Sequence, residues 1–161
     1  MTEFISKISP EKKKIRELRY NLYVHGIQEE NLGGWASIIL DKHEQKTVLS
    51  GKEENLSQPN RIDLIGIIEG LRWIYLSVEP KYRKYIIINL NCDNVYCINI
   101  IKDWIDKWKD DIDIRPNNDL LKELLELKSK MNISAKWVNK VSNEYSWSVN
   151  RISKERKEEI N

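Results

Sequence analysis

Hydrophobic and polar positions along the chain change period several times, and each change marks an element. Residues 19–25 alternate as a strand with one buried face, and His25-Gly26 reads as its end, with Gly26 turning the chain away. After a Gly33-Gly34 turn, GGWASIILD (33–41) is rich in β-forming residues, and QKTVLSG (45–51) returns after the polar stretch DKHE. These three runs predict an antiparallel meander. Leu64, Ile67, Ile68, Leu71, Ile74 and Val78 then recur at helical spacing. YIIINLN (85–91) is a continuous apolar run, as expected of a strand buried on both faces.

The second half continues with a helix over DNVYCINIIKDWIDKWKDD and another over DLLKELLELKSKM, for which Asp119 is the natural N-cap. ISAKWV (133–138) alternates as a strand, and a polar helix runs from about Glu144 to Glu159. The order β-β-β-α-β-α-α-β-α predicts an α/β domain with a mixed sheet and helices on its faces.

The chain has 161 residues, enough for one domain with a real core, and no internal repeat divides it. Residues 1–18 read as a basic N-terminal extension, solvated or helical, and 19–161 as the domain. Lys12, Lys13, Lys14 and Arg16, with Arg19 at the edge of the domain, make a phosphate-contacting arm the alternative use of that extension. No window approaches the roughly 18 uncharged apolar residues of a membrane span, and the N-terminus lacks the apolar stretch of a secretory signal. Membrane partners are therefore not expected. Cys92 and Cys97 fit no metal-ligand spacing, and two cysteines without a signal point to a reduced, intracellular protein of cytoplasm or nucleus. A net charge of +2 permits nucleic-acid binding without requiring it.

There is no Gly-rich phosphate loop, HExxH, paired CxxC or GxSxG. Candidate chemistry sits instead at the ends of central elements: His25 on the first strand, Asp63 at the start of the first long helix, Asp93 after the buried strand, and Asn150 on the last helix. Ligands of open α/β sheets gather at such strand ends, beside helix starts. Each residue alone also has a structural reading. Asn60-Arg61-Ile62-Asp63 looks like a capping box, Asp93 can cap the helix after it, His25 can be a hydrogen-bonded turn residue, and Asn150 a solvated one.

In combination and in order, these features resemble ribonuclease H, specifically the type 1 fold shared with retroviral reverse transcriptases, over residues 19–153. The family's first strand ends Tyr-Thr-Asp-Gly where this chain has YVHG. Its Asn- and Gly-rich turn is matched by ENLGGWASIIL, and its Asn-Arg-x-Glu-Leu helix start by Asn60-Arg61-Ile62-Asp63-Leu64. Its strand ending Asp-Ser is matched by Asn91-Cys92-Asp93-Asn94. Its two tryptophans a turn apart are matched by Trp104 and Trp108, and its strand ending Trp-Val by Trp137-Val138. The resemblance implies a five-stranded mixed sheet, three antiparallel strands then two parallel ones, flanked by helices.

The resemblance also implies hydrolysis of the RNA strand of an RNA–DNA hybrid by two Mg²⁺ ions about 4 Å apart, held by four acids. Residue by residue, those acids fall on His25, Asp63 (an Asp for a Glu), Asp93 and, with a one-residue gap, Asn150 in Val149-Asn150-Arg151-Ile152. Only Asp63 and Asp93 remain as hard metal ligands, so −4 becomes −2 with His25 neutral. Each lost charge beside a cation forfeits on the order of 4 kcal/mol per unit of ion charge at an effective dielectric of about 20. Imidazole also suits Mn²⁺ or Zn²⁺ better than Mg²⁺. The family's late-loop histidine has no counterpart in VNKVSNEYS.

On the substrate side, Asn31 and Asn60 match family positions that touch the hybrid backbone in the minor groove. Val95 stands where the family often has a nucleic-acid-touching Gln, and residues 102–115, a basic grip in the family, hold four cations against five acids. Trp104 and Trp108 read as packing. The expectation is a degenerate, non-cleaving module that needs no cofactor and binds RNA–DNA hybrid, another nucleic acid, or a protein partner. The alternative is an active hybrid nuclease using Mg²⁺ or, by preference, Mn²⁺, with Glu29, Glu30 or Glu144 supplying a substitute acid.

Overall fold

A computed structural model describes residues 9–159. It contains α1 (Pro10–Arg16), β1 (Arg19–Glu29), β2 (Leu32–Leu40), β3 (Lys46–Glu53), α2 (Arg61–Ser77) and β4 (Ile87–Cys92). There follow α3, which runs through Val95–Asn99, a wider π turn over Ile100–Trp104, and Ile105–Trp108, then α4 (Asn118–Lys130), β5 (Asn132–Trp137) and α5 (Glu144–Glu158). Short 3₁₀ turns at Pro80–Tyr85 and Ile112–Ile114 join them. The sheet order is β3-β2-β1-β4-β5; β1, β2 and β3 pair antiparallel, and β4 pairs parallel to both β1 and β5. This is the five-stranded mixed sheet expected.

One sheet face packs against α2, α3 and α4. Leu22 and Val24 of β1, with Ile88, Leu90 and Cys92 of β4, meet Leu64, Ile67, Leu71 and Ile74 of α2 and Leu121, Leu124 and Leu127 of α4. Among the described residues the other face carries α5, whose Val149 meets Ala36, Ile38 and Leu40. β2, covered on both sides, is buried from Gly33 to Leu40. β4 is not: Ile88, Leu90 and Cys92 are fully buried while Asn89 is exposed. The apolar run at 85–91 thus belongs to a strand whose second face is covered only in part, buried at Asn91 and exposed at Asn89, because α5 lies over β1 and β2 and, among the described residues, leaves the outer half of the sheet partly open.

Two turns fall elsewhere than their glycines indicate. β1 continues through Gly26 to Glu29, and the chain reverses at Glu30-Asn31, where Glu30 has φ 56°. Gly26 lies within the strand, paired with Trp35, and a Cβ there would lie 2.9 Å from both the Asp63 backbone nitrogen and Ile62 Cγ2. Gly33 and Gly34 are within β2, and a Cβ on Gly34 would sit 2.0 Å from the Ser153 carbonyl oxygen. Gly34 is therefore the point where α5 rests on the sheet backbone.

Of the basic extension, residues 1–8 lie outside the described residues. From Ser9 onward it is attached to the domain. Ser9 caps α1 by accepting from Lys12 N at 3.1 Å, Ile15 packs on the core, Leu18 is buried in it, and Lys14 pairs with Glu79. Trp104 and Trp108 pack against the core with ring centroids 5.6 Å apart, and Arg115 lies over Trp108 at 4.0 Å. Among the described residues no helix is long and apolar enough to cross a membrane.

Candidate functional site

Parallel pairing of β1 with β4 runs from Arg19↔Ile87 to Val24↔Cys92, so His25 and Asp93 are the first residues beyond it. There β1 stays with β2 while β4 turns into α3, and the side chains at the fork face each other. His25 Nδ1 lies 3.0 Å from both carboxylate oxygens of Asp93. Both side chains are largely enclosed, at 11% and 19% exposed.

Asp63 enters the same corner from the first turn of α2. Gly26 N donates to its Oδ1 at 3.1 Å and Asn94 Nδ2 to its Oδ2 at 3.1 Å. Burial pushes the Asp63 carboxyl up to about 6, against the hydrogen bonds from Asn94 and Gly26 and the nearby His25, which pull it down. Asn94 also donates to Asn60 Oδ1 at 3.0 Å and accepts from Cys97 N at 3.1 Å, which caps α3. The Trp137 indole, half exposed, donates to the Asp93 carbonyl at 2.8 Å.

Neither capping expectation holds. Asn60 does occupy the N-cap of α2, but in the left-handed region at φ 66° and without a side-chain cap bond, which frees its amide for Asn94. Asn94, not Asp93, caps α3. His25 is a mid-strand residue, paired with Ala36 of β2. The corner thus brings together His25, Asp63, Asp93 and Asn60. Asn31 lies at the β1–β2 hairpin tip, with its carbonyl accepting from Leu56 N. Asn150 is on α5, partly exposed, and the residues of that helix lining a small cavity with His25 and Asp93 are Ser146 and Val149.

Ser146 is buried and its Oγ has no hydrogen-bond partner among the described residues. Lys140 lines the same cavity. Of the candidate substitute acids, Glu29 is held by Lys157 at 2.6 Å, Glu30 forms the hairpin turn, and Glu144 is exposed at the start of α5. Sequence reasoning missed the roles of Asn94, Cys92 and Ser146. Asn94 carried a signal, since an Asn directly before a helix favours the N-cap. Ser146 carried none.

Asp63, Cys92 and Asp93 can bring one ligand atom each within 4.8 Å of one another. This set does not fit a pair of hard divalent ions. Both oxygens of Asp93 face His25, both oxygens of Asp63 accept hydrogen bonds, and the third donor is a thiol that burial holds protonated, well above its ordinary range.

A model of the RNase H family matches residues 18–144. A protein named Ribonuclease H from Wolbachia sp. subsp. Drosophila simulans (strain wRi) is 35% identical over 112 residues, 66% of this chain and 70% of that protein. Ribonuclease HI of Campylobacter jejuni is 32% identical over 120 residues, 73% and 75% of the two chains. Among solved structures, LC9-RNase H1, described as a type 1 RNase H with the type 2 active-site motif, superposes with a TM-score of 0.72 at 15% identity, covering 86% of this chain and 72% of that one. LC11-RNase H1, solved in complex with RNA/DNA hybrid, superposes with a TM-score of 0.63 at 10% identity, covering 86% and 96%. Sheet order, the fork between β1 and β4, and the match across most of the chain lead to one assignment: this chain belongs to the ribonuclease H family.

Proposed function

We propose that this domain binds RNA–DNA hybrid and does not hydrolyse it by the two-metal route. The observation that carries the reading is the position of His25, whose Nδ1 takes both oxygens of Asp93 at the fork where the family resemblance calls for an acid. In this reading His25, Asp63, Asp93 and Asn150 are the family positions, of which Asp63 and Asp93 alone are carboxylates, and protein hydrogen bonds replace the ions as the partners of those carboxylates. Asn60 and Asn31 are the groups offered to the hybrid backbone. Support for hybrid as the ligand comes from the family and from the LC11-RNase H1 complex with RNA/DNA hybrid.

A second reading has its own observation. Asp63, Cys92 and Asp93 can bring one ligand atom each within 4.8 Å of one another, and the two carboxylates with the imidazole of His25 suit an ion such as Mn²⁺ or Zn²⁺ better than Mg²⁺. The relatives in Wolbachia and Campylobacter bear the name ribonuclease. This reading makes the domain a hybrid nuclease with an altered metal requirement.

One experiment separates the two. Labelled RNA–DNA hybrid is incubated with the protein in Mg²⁺, in Mn²⁺ and in EDTA, with Asp93→Asn alongside, and both cleavage and binding are read. The binding reading expects complex formation in EDTA and no cleavage above that of Asp93→Asn in either ion. Cleavage that depends on Mn²⁺ and disappears in Asp93→Asn overturns it in favour of the second.

A further inference from the structure

An open cavity of about 570 Å³ lies where Glu29, Glu30, Glu54, Glu158 and Glu159 meet two lysines, and its acidity is wrong for a polyanion. The open half of the sheet differs in kind. α5 lies over β2 and part of β1, so among the described residues the outer face is open over β4, β5 and the adjoining Asn21 and the edge of Tyr23 of β1, and its side chains stand in two rows set by the strand register. Asn21 of β1, Asn89 of β4 and Ser134 of β5 form one row; Tyr23, Asn91 and Lys136 form the other. Together they line a trough of about 210 Å³, and no acid lines it.

Three properties define what fits the trough. First, it offers unspent amide groups. Asn89 Oδ1 accepts from Ser134 at 2.8 Å, leaving its NH₂ without a partner among the described residues, and the exposed Asn21 amide makes no bond there either. Amides that both donate and accept match the edges of unpaired bases. Second, Tyr23, half-buried and steadied by Tyr145 at 5.3 Å, puts an aromatic ring in the neighbouring row. Third, β5 carries Lys136 and no acid, and Lys136 is in no ion pair among the described residues. Aromatic faces, base-edge groups and uncompensated cations on an open sheet are how single strands are held. A duplex has its Watson–Crick edges already paired and offers amides only its groove edges, so the amide row suits unpaired bases better.

We propose that the open face of β1, β4 and β5 is a second nucleic-acid surface, separate from the strand-end corner, that binds a single-stranded segment through Tyr23, Asn89 and Lys136. The placement serves a hybrid-binding domain, since a single-stranded flank can lie on the sheet while the duplex meets the corner. The surface does not depend on the hybrid reading, because its groups are not those of the corner.

The test measures fluorescence anisotropy with a labelled short single-stranded RNA, the same strand made abasic, and an RNA–DNA hybrid, all in EDTA. Asn89→Asp and Lys136→Glu are both exposed changes that leave the core untouched. The single strand should bind the wild type, lose affinity about tenfold in each variant, and outbind its abasic copy by a similar factor, while hybrid affinity stays the same. Equal binding of abasic and normal strands, or wild-type affinity in both variants, overturns the proposal. So does a wild type that binds no single strand, which would leave the face to a protein partner. Single-strand binding without hybrid binding would sink the hybrid reading and leave this one standing.

Discussion

His25 and Asp93 face each other across the fork of β1 and β4, with Nδ1 3.0 Å from each carboxylate oxygen. Replacing His25 by Asp sets two carboxylates against each other in a largely enclosed corner that already holds Asp63. That costs about 2–4 kcal/mol of stability without metal, from repulsion and the lost hydrogen bond. The expected signature in thermal melts is a His25→Asp protein that melts lower in EDTA and recovers in millimolar Mg²⁺, beside a wild type indifferent to Mg²⁺. A wild type whose Tm climbs with Mg²⁺ would show that the corner already takes a hard ion.

Asp63 gives a pH dependence. Its carboxyl is pushed up from the ordinary 3.8 to about 6 by burial, so the native state holds this proton more tightly than the unfolded chain. The resulting stability is present below about pH 4 and is lost as pH rises through 6, on the order of 3 kcal/mol by neutrality. Asp63→Asn removes that loss but gives up acceptance from Asn94, for a net gain of about 1–2 kcal/mol at pH 7 and a flatter profile between pH 4 and 7. Urea denaturation at the two ends of that range reads both. Parallel profiles for mutant and wild type would mean that Asp63 is not the titrating group.

Gly34→Ala is expected to be the most damaging glycine substitution at the α5 contact. Its Cβ would lie 2.0 Å from Ser153 O and 2.6 Å from Lys157 N, both backbone atoms, so the helix must lift. A loss of about 3 kcal/mol follows, and denaturant midpoints measure it. Gly34→Ala at wild-type stability would mean that α5 does not rest on β2 as described.

Cys92 and Cys97 are buried, and burial raises both thiols well above their ordinary range. Neither should react with a thiol-specific disulfide reagent in the native protein, and both should react in guanidinium. Rapid native labelling would contradict the packing of β4 against α3.

Periodic elements could be read directly from sequence. Leu121, Leu124 and Leu127 repeat at helical spacing and line the buried side of α4, and Ala36, Ile38 and Leu40 line one face of β2. Local signals misled where distant contacts reassigned the residue. Asp119 looks like the cap of α4 yet pairs with Arg61 at 2.7 Å, and the cap position falls on Asn117. The Gly33-Gly34 pair looks like a turn and is the seat of a helix more than a hundred residues later in the chain. In the corner, His25 and Asp93 could be named because the family motif names their positions. That Asn94 would hold Asn60 and Asp63 together, or that Ser146 would arrive beside His25, depends on how α2 and α5 are laid on the sheet, and no local pattern encodes that.

Asn94 ties three elements at once: it caps α3, holds the amide of Asn60 and engages Asp63. With His25 on Asp93, every carboxylate of the corner is committed to a neighbour. Such an arrangement makes a carboxylate at position 25 conditional on a counter-ion: without one it repels the two acids already there, and only an ion drawn between them offsets that cost. A ring nitrogen at position 25 is what lets the corner close on hydrogen bonds alone.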